Sequence, residues 1–293
     1  LGGLLLSLFQ QSNRLWLGFT LLFLIAGAVR SFSALSLATV TDLPIQHEEP
    51  ASRGFLAFLS TGTSKDFRRF LLYSGLMHLA VLISGPFFVI YMLQDLHLSY
   101  WAYGTWASAA IIGQFVTLPG WGEFGDRFGN KALLTFTGLL VAFLPMLYLI
   151  STAWPFLVVV NFFGGVVWAG LSLGLGNYVF DAVRPADRGK AVAVSSTVNA
   201  IGWAMGTFIG SWLIGTVPRT IELGPFQSTP VSNLPFIFFI SGVLRLVISL
   251  ALLRTFHEPR SVEQRTPARL FLELPLLKPL SQLTIRRADT SRR

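Results

Sequence analysis

Long runs of apolar residues alternate with short polar stretches along most of this chain. Seven runs reach the roughly 20 residues that an α-helix needs to cross a bilayer. Most of them are apolar on every side rather than on one stripe, as expected for helices surrounded by lipid and by other helices. The pattern predicts an all-α polytopic membrane protein with seven complete transmembrane helices, at 15–40, 70–93, 100–121, 132–152, 154–180, 191–217 and 234–256.

Residues 1–9 are also apolar, but they are too few to span a membrane. We interpret them as the end of a helix whose start is absent. The chain begins with Leu1 rather than methionine. The sequence is therefore expected to be a truncated chain, with a helix stub at its N-terminus.

Composition supports a membrane environment over the alternative, a large soluble helical core. The chain is 53% hydrophobic and only 12% charged, whereas soluble domains have about 25% charged residues. There is no cysteine, which excludes disulfides and thiolate metal sites. No H-E-x-x-H motif and no cluster of acidic metal ligands occurs, so we expect no enzyme activity and no cofactor or metal.

Basic residues are distributed unevenly between the connections that alternating spans place on opposite sides. Nine of them lie in the connections at 41–69, 122–131 and 181–190, and more lie in the C-terminal tail. The connections on the other side hold only Arg14 and Arg219. By the positive-inside rule the basic connections and the C-terminus are cytoplasmic. The net charge of +8 is then expected to meet anionic lipid headgroups, not nucleic acid.

A short repeat links the first span to the last. Ile25-Ala-Gly-Ala-Val-Arg30 matches Ile240-Ser-Gly-Val-Leu-Arg245. A duplicated six-helix unit would leave such a match, and chance is the alternative. Both arginines lie inside predicted spans, where a charge is costly, so the repeat predicts a shared structural role such as snorkelling or pairing.

One polar loop carries a motif with a specific resemblance. It joins the spans at 100–121 and 132–152 in the form G-x-x-x-D-R-x-G-x-K, and its motif residues are Gly122, Asp126, Arg127, Gly129 and Lys131. This loop resembles the short cytoplasmic loop that marks the major facilitator superfamily of solute transporters. The resemblance covers nearly all of residues 15–256.

The resemblance implies a domain organisation. Residues 1–40 would be the end of an N-terminal bundle, 41–69 a cytoplasmic linker, 70–256 the C-terminal six-helix bundle and 257–293 a basic, mostly disordered tail. The N-terminal half of the same protein would be the missing partner. The implied function is secondary transport of a small solute by alternating access, in the plasma membrane. The alternative is a transport-inactive truncated membrane protein or assembly partner.

The residues of the loop motif suggest specific roles. Gly122 lets the backbone leave a helix tightly, and Gly129 allows a sharp turn. Asp126 is suited to accept hydrogen bonds from free N–H groups at a helix start, while Arg127 and Lys131 are suited to pair with carboxylates or lipid headgroups. In the family this loop is a cytoplasmic latch, which makes Asp126 the latch acid; the alternative is an ordinary capped loop.

A second loop resembles the one between helices ten and eleven of the family. Pro185 suits the first turn of a helix, and Asp181 is expected to pair with Arg188 across the turn. An ordinary capped helix start is the alternative. The loop residues considered for function are Asp181, Arg184, Pro185 and Arg188.

Glycines and polar residues inside the spans are further candidates for helix packing and for a substrate cavity. Gly202, Gly206 and Gly210 lie four apart on one helix face, which predicts close helix packing. Gly85-Pro86 should kink its helix, and Pro119 is expected to act in the same way. Polar residues in hydrocarbon mark either a substrate cavity or hydrogen bonds between helices. Those considered for a cavity are His78, Gln114, Asn161, Asn177, Tyr178 and Asn199.

Overall fold

The computed structural model describes residues 2–11, 14–39, 58, 63–216 and 232–260. Within these residues the regular elements are all helices, which confirms the predicted all-α class. Most of the predicted linker at 41–69 and of the tail at 257–293 falls outside the described residues. The helices are α1 (Gly2–Gln11), α2 (Leu15–Ala38), α3 (Lys65–Ser84), α4 (Phe87–Ile90), α5 (Tyr100–Phe128), α6 (Asn130–Leu147), α7 (Trp154–Asp181), α8 (Arg188–Thr216) and α9 (Leu234–Leu252).

Six helical stretches among the described residues are long and apolar enough to cross a membrane, so the protein is an integral membrane protein. The seventh predicted span, at 100–121, forms the 29-residue helix α5 but is not among those six. Its glycines, Ser108, Thr105 and Gln114 make it less apolar than its neighbours. The six stretches are Trp16–Leu37, Lys65–Asp95, Asn130–Leu147, Trp154–Asp181, Pro185–Thr216 and Leu234–Leu252.

Caps and prolines decide where α3 begins and ends. The Ser64 hydroxyl accepts a hydrogen bond from the Phe67 N–H at 3.1 Å, so α3 starts at Lys65, before the predicted start at 70. Pro86 has no N–H to continue the helix, and the chain passes through α4 into a π-helix at Tyr91–Asp95. The predicted interruption is therefore present. Pro119, in contrast, lies inside α5 without ending it.

The bundle is built from two tightly packed helix pairs, α3 with α8 and α5 with α7. Helix α9 contacts both α3 and α6, and α6 also packs on α7. Helix α1 lies against α5, where a Cβ added to Gly3 would approach Gly104 Cα at 3.1 Å. Helix α2 packs on α1, but its residues 23–37 are exposed.

Aromatic side chains fill the interior at the end of the bundle where α5 joins α6, α7 leads into α8 and α9 ends. We call this the loop end. The Phe70 ring stacks on Tyr178 with centroids 4.4 Å apart, and Phe256 packs edge-on to Tyr178 at 5.2 Å. These rings join α3, α7 and the segment after α9, and they fix the framework that carries the polar loops.

Candidate functional site: the loop cluster and the adjoining cavity

The loop motif is more helical than its sequence indicated. We had predicted that the backbone leaves the helix at Gly122. Helix α5 instead continues to Phe128, and Gly122 lies within it. An added Cβ at Gly122 would meet nothing within 4 Å. Asp126 and Arg127 occupy the last turn of α5, and Gly129, with φ of +91°, is the whole joint before α6. The turn predicted at Gly129 is therefore where the chain changes direction.

Glu258, just beyond α9, caps the start of α6, the helix that follows the loop motif. Its Oε2 accepts a hydrogen bond from the backbone N–H of Lys131 at 2.7 Å, in the first turn of α6. A carboxylate is stabilised there by the free N–H groups and the helix dipole. A Cβ on Gly129 would overlap the same carboxylate, so the glycine is needed for both the turn and the contact.

Arg260 brings the two loop motifs together. Its Nε lies 3.0 Å from Asp181 Oδ2, and its Nη1 lies 3.9 Å from Asp126 Oδ1. Its Nη2 also donates a hydrogen bond to the carbonyl of Gly125 at 3.2 Å, which is one of the last carbonyls of α5. A cation at a helix C-terminus is favoured by the dipole. Arg260 therefore links the end of α5, the end of α7 and the segment after α9.

Asp181 has partners other than the one we expected. The Asn130 side-chain amide donates to its Oδ2 at 2.6 Å, and Arg260 supplies the positive charge. The predicted pair between Asp181 and Arg188 is not formed, because Arg188 lies over the Phe180 ring at 5.9 Å. We call the side chains gathered here, together with the Gly125 carbonyl, the loop cluster; they are Asp126, Asn130, Asp181, Glu258 and Arg260.

The remaining residues of the second loop form a local unit. Pro185 begins a single 3-10 turn, Pro185–Asp187, and α8 starts only at Arg188. Arg184 pairs with Asp187 at 2.8 Å, and the Arg184 side chain is 82% exposed. This pair closes the turn but does not reach the loop cluster.

Further contacts tie the segment after α9 to the bundle. The Arg69 side chain donates to the Thr255 carbonyl at 2.7 Å, and the Tyr178 hydroxyl donates to the His257 carbonyl at 2.7 Å. Lys131 Nζ lies 3.7 Å from the centroid of the Phe256 ring, a cation–π arrangement. The first residues of the region we had assigned to a disordered tail, 257–260, are thus held in place.

Sequence reasoning missed Asn130, Glu258 and Arg260. Glu258 and Arg260 belong to His-Glu-Pro-Arg directly after the last span, which reads as the start of a basic tail. Their position directly after Phe256, a buried residue at the loop end, is the signal that could have located them. Among the residues that the structure describes, no group of three or more His, Asp or Glu could hold a metal ion.

A cavity of about 280 Å³ opens beside the loop end between α3, α7 and α8. Of the six polar residues considered for a cavity, His78 and Asn199 line it. Gln114, Asn177 and Tyr178 are not among its lining residues. Asn161 instead joins helices α7, α5 and α6: its amide donates to the Trp106 carbonyl at 2.7 Å, and its Oδ1 accepts from the Tyr148 hydroxyl at 3.3 Å.

The glycines four apart in α8 lie directly against the backbone of α3. A Cβ at Gly202, Gly206 or Gly210 would overlap the carbonyl oxygen of Gly75, Leu79 or Ile83, respectively. Two helices can approach this closely only without side chains at the contact. The α3–α8 interface forms one wall of the cavity.

The two arginines of the repeat have different surroundings. Arg245 is 4% exposed and donates to the Val141 carbonyl at 3.1 Å and to the Ser84 hydroxyl at 2.8 Å. Neither snorkelling nor pairing with a carboxylate describes it, because polar groups of α3 and α6 surround its guanidinium. Arg30 lies on the exposed part of α2.

Comparison with known proteins shows a family for this sequence. The sequence profile of the Major Facilitator Superfamily matches residues 70–288. The chain is 25% identical over 168 residues to "Multidrug resistance protein 1" of Bacillus subtilis (strain 168), a match that covers 57% of this chain and 39% of that protein. It is 24% identical over 194 residues to a probable peptide/nitrate transporter of Arabidopsis thaliana, covering 64% of this chain. The chain thus spans 39% of the length of each of these relatives.

Proposed function

This chain belongs to the major facilitator superfamily, and on that premise we propose that it moves a small solute across a membrane by alternating access. The observation that carries the proposal is the position of the cavity. It lies between three helices of the bundle, and α7 runs directly from the cavity wall at Phe180 to Asp181 in the loop cluster. Movement at the loop end would therefore be transmitted to the cavity.

We propose further that the loop cluster is the latch that this movement makes and breaks. Asp126 is 79% exposed, so its carboxylate can meet the positive end of a helix in a second bundle. Asp181 and Glu258 are only 20% and 14% exposed and hold the cluster together from within. In this proposal Asp126 is the part that engages the second bundle, and Arg260 positions it.

The second bundle in this proposal is a six-helix unit corresponding to the part of the relatives that this chain does not cover. Helix α1 supports this arrangement, because it already packs against α5 beside Gly3 and Gly104. Transport of one solute then requires the two bundles to rock against each other around the cavity, as in transporters built from repeats.

For orientation, we propose that the loop end and the C-terminus face the cytoplasm and that the plasma membrane is the location. The chain has no cysteine, so single cysteines can report the sidedness of each connection. An impermeant maleimide applied to intact cells should label Thr152→Cys, between α6 and α7, and spare Ala186→Cys, at the loop end. The reverse labelling would overturn the orientation.

The transport proposal is tested by flux in cells that lack their own exporters. Cells expressing the chain together with the second bundle should show saturable accumulation or extrusion of at least one labelled solute from a panel that includes organic dyes, small peptides and nitrate. Asp126→Ala should abolish this flux at unchanged expression, whereas Arg184→Ala, an exposed change outside the cluster, should not. Normal flux with Asp126→Ala would overturn the latch, and no flux of any solute would overturn transport by this chain.

A further inference from the structure

The cavity between α3, α7 and α8 has a distinctive chemical lining. His78 is the only titratable side chain among the described residues that line it, and no carboxylate, lysine or arginine is present there. Hydroxyls come from Ser172, Ser195 and Ser196. Its apolar walls come from Trp168, Leu175, Val179, Phe180 and Val192.

The hydrogen bond of His78 fixes which ring nitrogen faces a ligand as an acceptor. His78 Nδ1 lies 2.8 Å from the carbonyl oxygen of Ser74. A carbonyl only accepts hydrogen bonds, so Nδ1 carries the proton and Nε2 of the neutral ring is an acceptor. An imidazolium would have no counter-charge among the lining residues, which favours the neutral ring in this 8% exposed position.

Asn199 supplies the complementary donor. Its Oδ1 accepts a hydrogen bond from the Ser74 hydroxyl at 2.8 Å, which leaves its amide N–H groups to donate into the cavity that it lines. Ser74, fully buried in α3, therefore positions both polar groups. Its carbonyl sets the tautomer of His78, and its hydroxyl sets the orientation of the Asn199 amide.

Charge excludes two classes of ligand. An ion that entered this cavity would lose part of its hydration without gaining an opposite charge from the lining residues, and such a transfer is unfavourable. An uncharged ligand with a flat apolar body loses little hydration free energy on entering the cavity and gains contact with Trp168 and Phe180. It must also satisfy one acceptor, on His78, and one donor, on Asn199.

We propose that this cavity binds an uncharged aromatic molecule that carries both a hydrogen-bond donor and a hydrogen-bond acceptor. The donor of the ligand meets His78 Nε2, and its acceptor meets the Asn199 amide. This inference rests on the proposed transport function only in taking the cavity as the solute site. It narrows the solutes to neutral amphiphiles and excludes organic cations and anions from this cavity.

Three probes of the same shape and different charge test the proposal. They are 2-naphthamide, which is neutral with a donor and an acceptor, 2-naphthoate, which is an anion, and 2-naphthylmethylammonium, which is a cation. Binding of each is measured by equilibrium dialysis against the full chain in nanodiscs, with empty nanodiscs subtracted. Only the amide should bind saturably, and it should bind at least tenfold more tightly than either ion.

Variants connect that binding to the named groups. Ser74→Ala keeps the carbonyl that holds His78 but loses the hydroxyl that holds Asn199, so it should weaken amide binding about fivefold, the worth of one hydrogen bond. His78→Phe keeps the aromatic volume, loses the acceptor and should weaken binding by a similar factor or more. Thr197→Ala, whose exposed hydroxyl bonds only its own helix at Ala193, is the matched control and should bind normally.

Tighter binding of either ion, or no saturable binding of the amide, would overturn the proposal. Because a substitution at the buried His78 can disturb folding, each variant is first required to elute as a single species, and Ser74→Ala provides the independent test. Unchanged binding of 2-naphthamide in Ser74→Ala would also overturn the proposal, because the Asn199 amide would then not be the donor to the ligand. If the amide binds as expected and no solute is transported, the transport proposal fails alone; if transport occurs and the amide does not bind, only this inference fails.

Discussion

The α3–α8 interface and the loop cluster hold the same bundle together by different means. At the interface, three glycines of α8 let two backbones touch, and the backbone groups that they meet carry no charge. In the loop cluster, charged side chains from three segments meet around Arg260, partly exposed to solvent. Close packing is insensitive to salt and hard to break reversibly, whereas exposed ion pairs are weaker and screened by salt. The difference fits a rigid helix pair beside a loop end that can open.

Gly206→Leu should lower the stability of the chain most, because the new side chain would meet backbone atoms of α3, which cannot move aside as a flexible side chain can. Its side chain would meet the backbone carbonyl of Leu79, so α3 and α8 must separate along their length. Overpacking at a buried contact costs about 3 kcal/mol at the upper end of its usual range. Thermal unfolding of the chain in nanodiscs should register this as a marked fall in Tm.

Gly215→Leu is the control for that change. It lies on the same helix, and an added Cβ there would meet nothing within 4 Å. We expect its Tm to stay at the wild-type value or to rise slightly, because leucine favours helix more than glycine does. Equal losses in the two variants would show that the glycines are not packed against α3.

Gly129→Ala should have the next largest effect on stability, because it strains the turn between α5 and α6 next to the loop cluster. The φ of +91° is unfavourable for alanine, and the new Cβ would also displace the Glu258 carboxylate. We expect a loss of about 1–2 kcal/mol. In Gly122→Ala, inside α5 with open space around it, stability should rise by up to about 1 kcal/mol. Effects of the same sign in both variants would contradict the assigned turn.

Arg260→Met should destabilise the chain modestly and reduce the salt dependence of its stability. The side chain is about one-third exposed, so its ion pairs with Asp181 and Asp126 are worth about 1 kcal/mol together. Stability of the wild type should fall toward that of the variant as salt is raised to about 1 M, where screening acts within a few Å. A constant difference at all salt concentrations would mean that Arg260 acts through packing.

Arg184→Ala should have the smallest effect. Its pair with Asp187 closes one local turn, and the arginine is 82% exposed. Exposed pairs of this spacing contribute about 0.5 kcal/mol or less. Chemical denaturation in parallel with Arg260→Met separates the two arginines, and a loss equal to that of Arg260→Met would place the second loop inside the cluster.

The features that the sequence predicts well are those that depend on residues close together along the chain. Apolar runs located the helices, and the four-residue spacing of Gly202, Gly206 and Gly210 predicted a packing face, because both signals lie within one helix. The loop cluster depends on residues far apart, since Lys131 and Glu258 are separated by 127 positions. No spacing rule links them, and only the folded bundle brings the end of α9 back to the loop.

The sequence also does not show which polar residues inside the spans line a cavity and which bond to a neighbouring helix. His78, Asn161 and Asn199 look alike as single polar residues in apolar helices. The rotation of each helix decides the outcome: His78 and Asn199 line a cavity, whereas Asn161 bonds to Trp106 on a neighbouring helix. That rotation is set by packing against other helices, which the sequence of one helix does not reveal.

Alternating access at the cavity is tested most directly with one cysteine, placed by Ser196→Cys in the otherwise cysteine-free chain. Ser196 is exposed and lines the cavity. Right-side-out and inside-out vesicles that contain the chain with a cysteine-free second bundle are treated with an impermeant maleimide, with Thr152→Cys and Ala186→Cys as markers of the two faces. The account predicts that the thiol at 196 reacts from both faces, while each marker reacts from one. Reaction at 196 only from the face that labels Ala186→Cys would contradict alternating access.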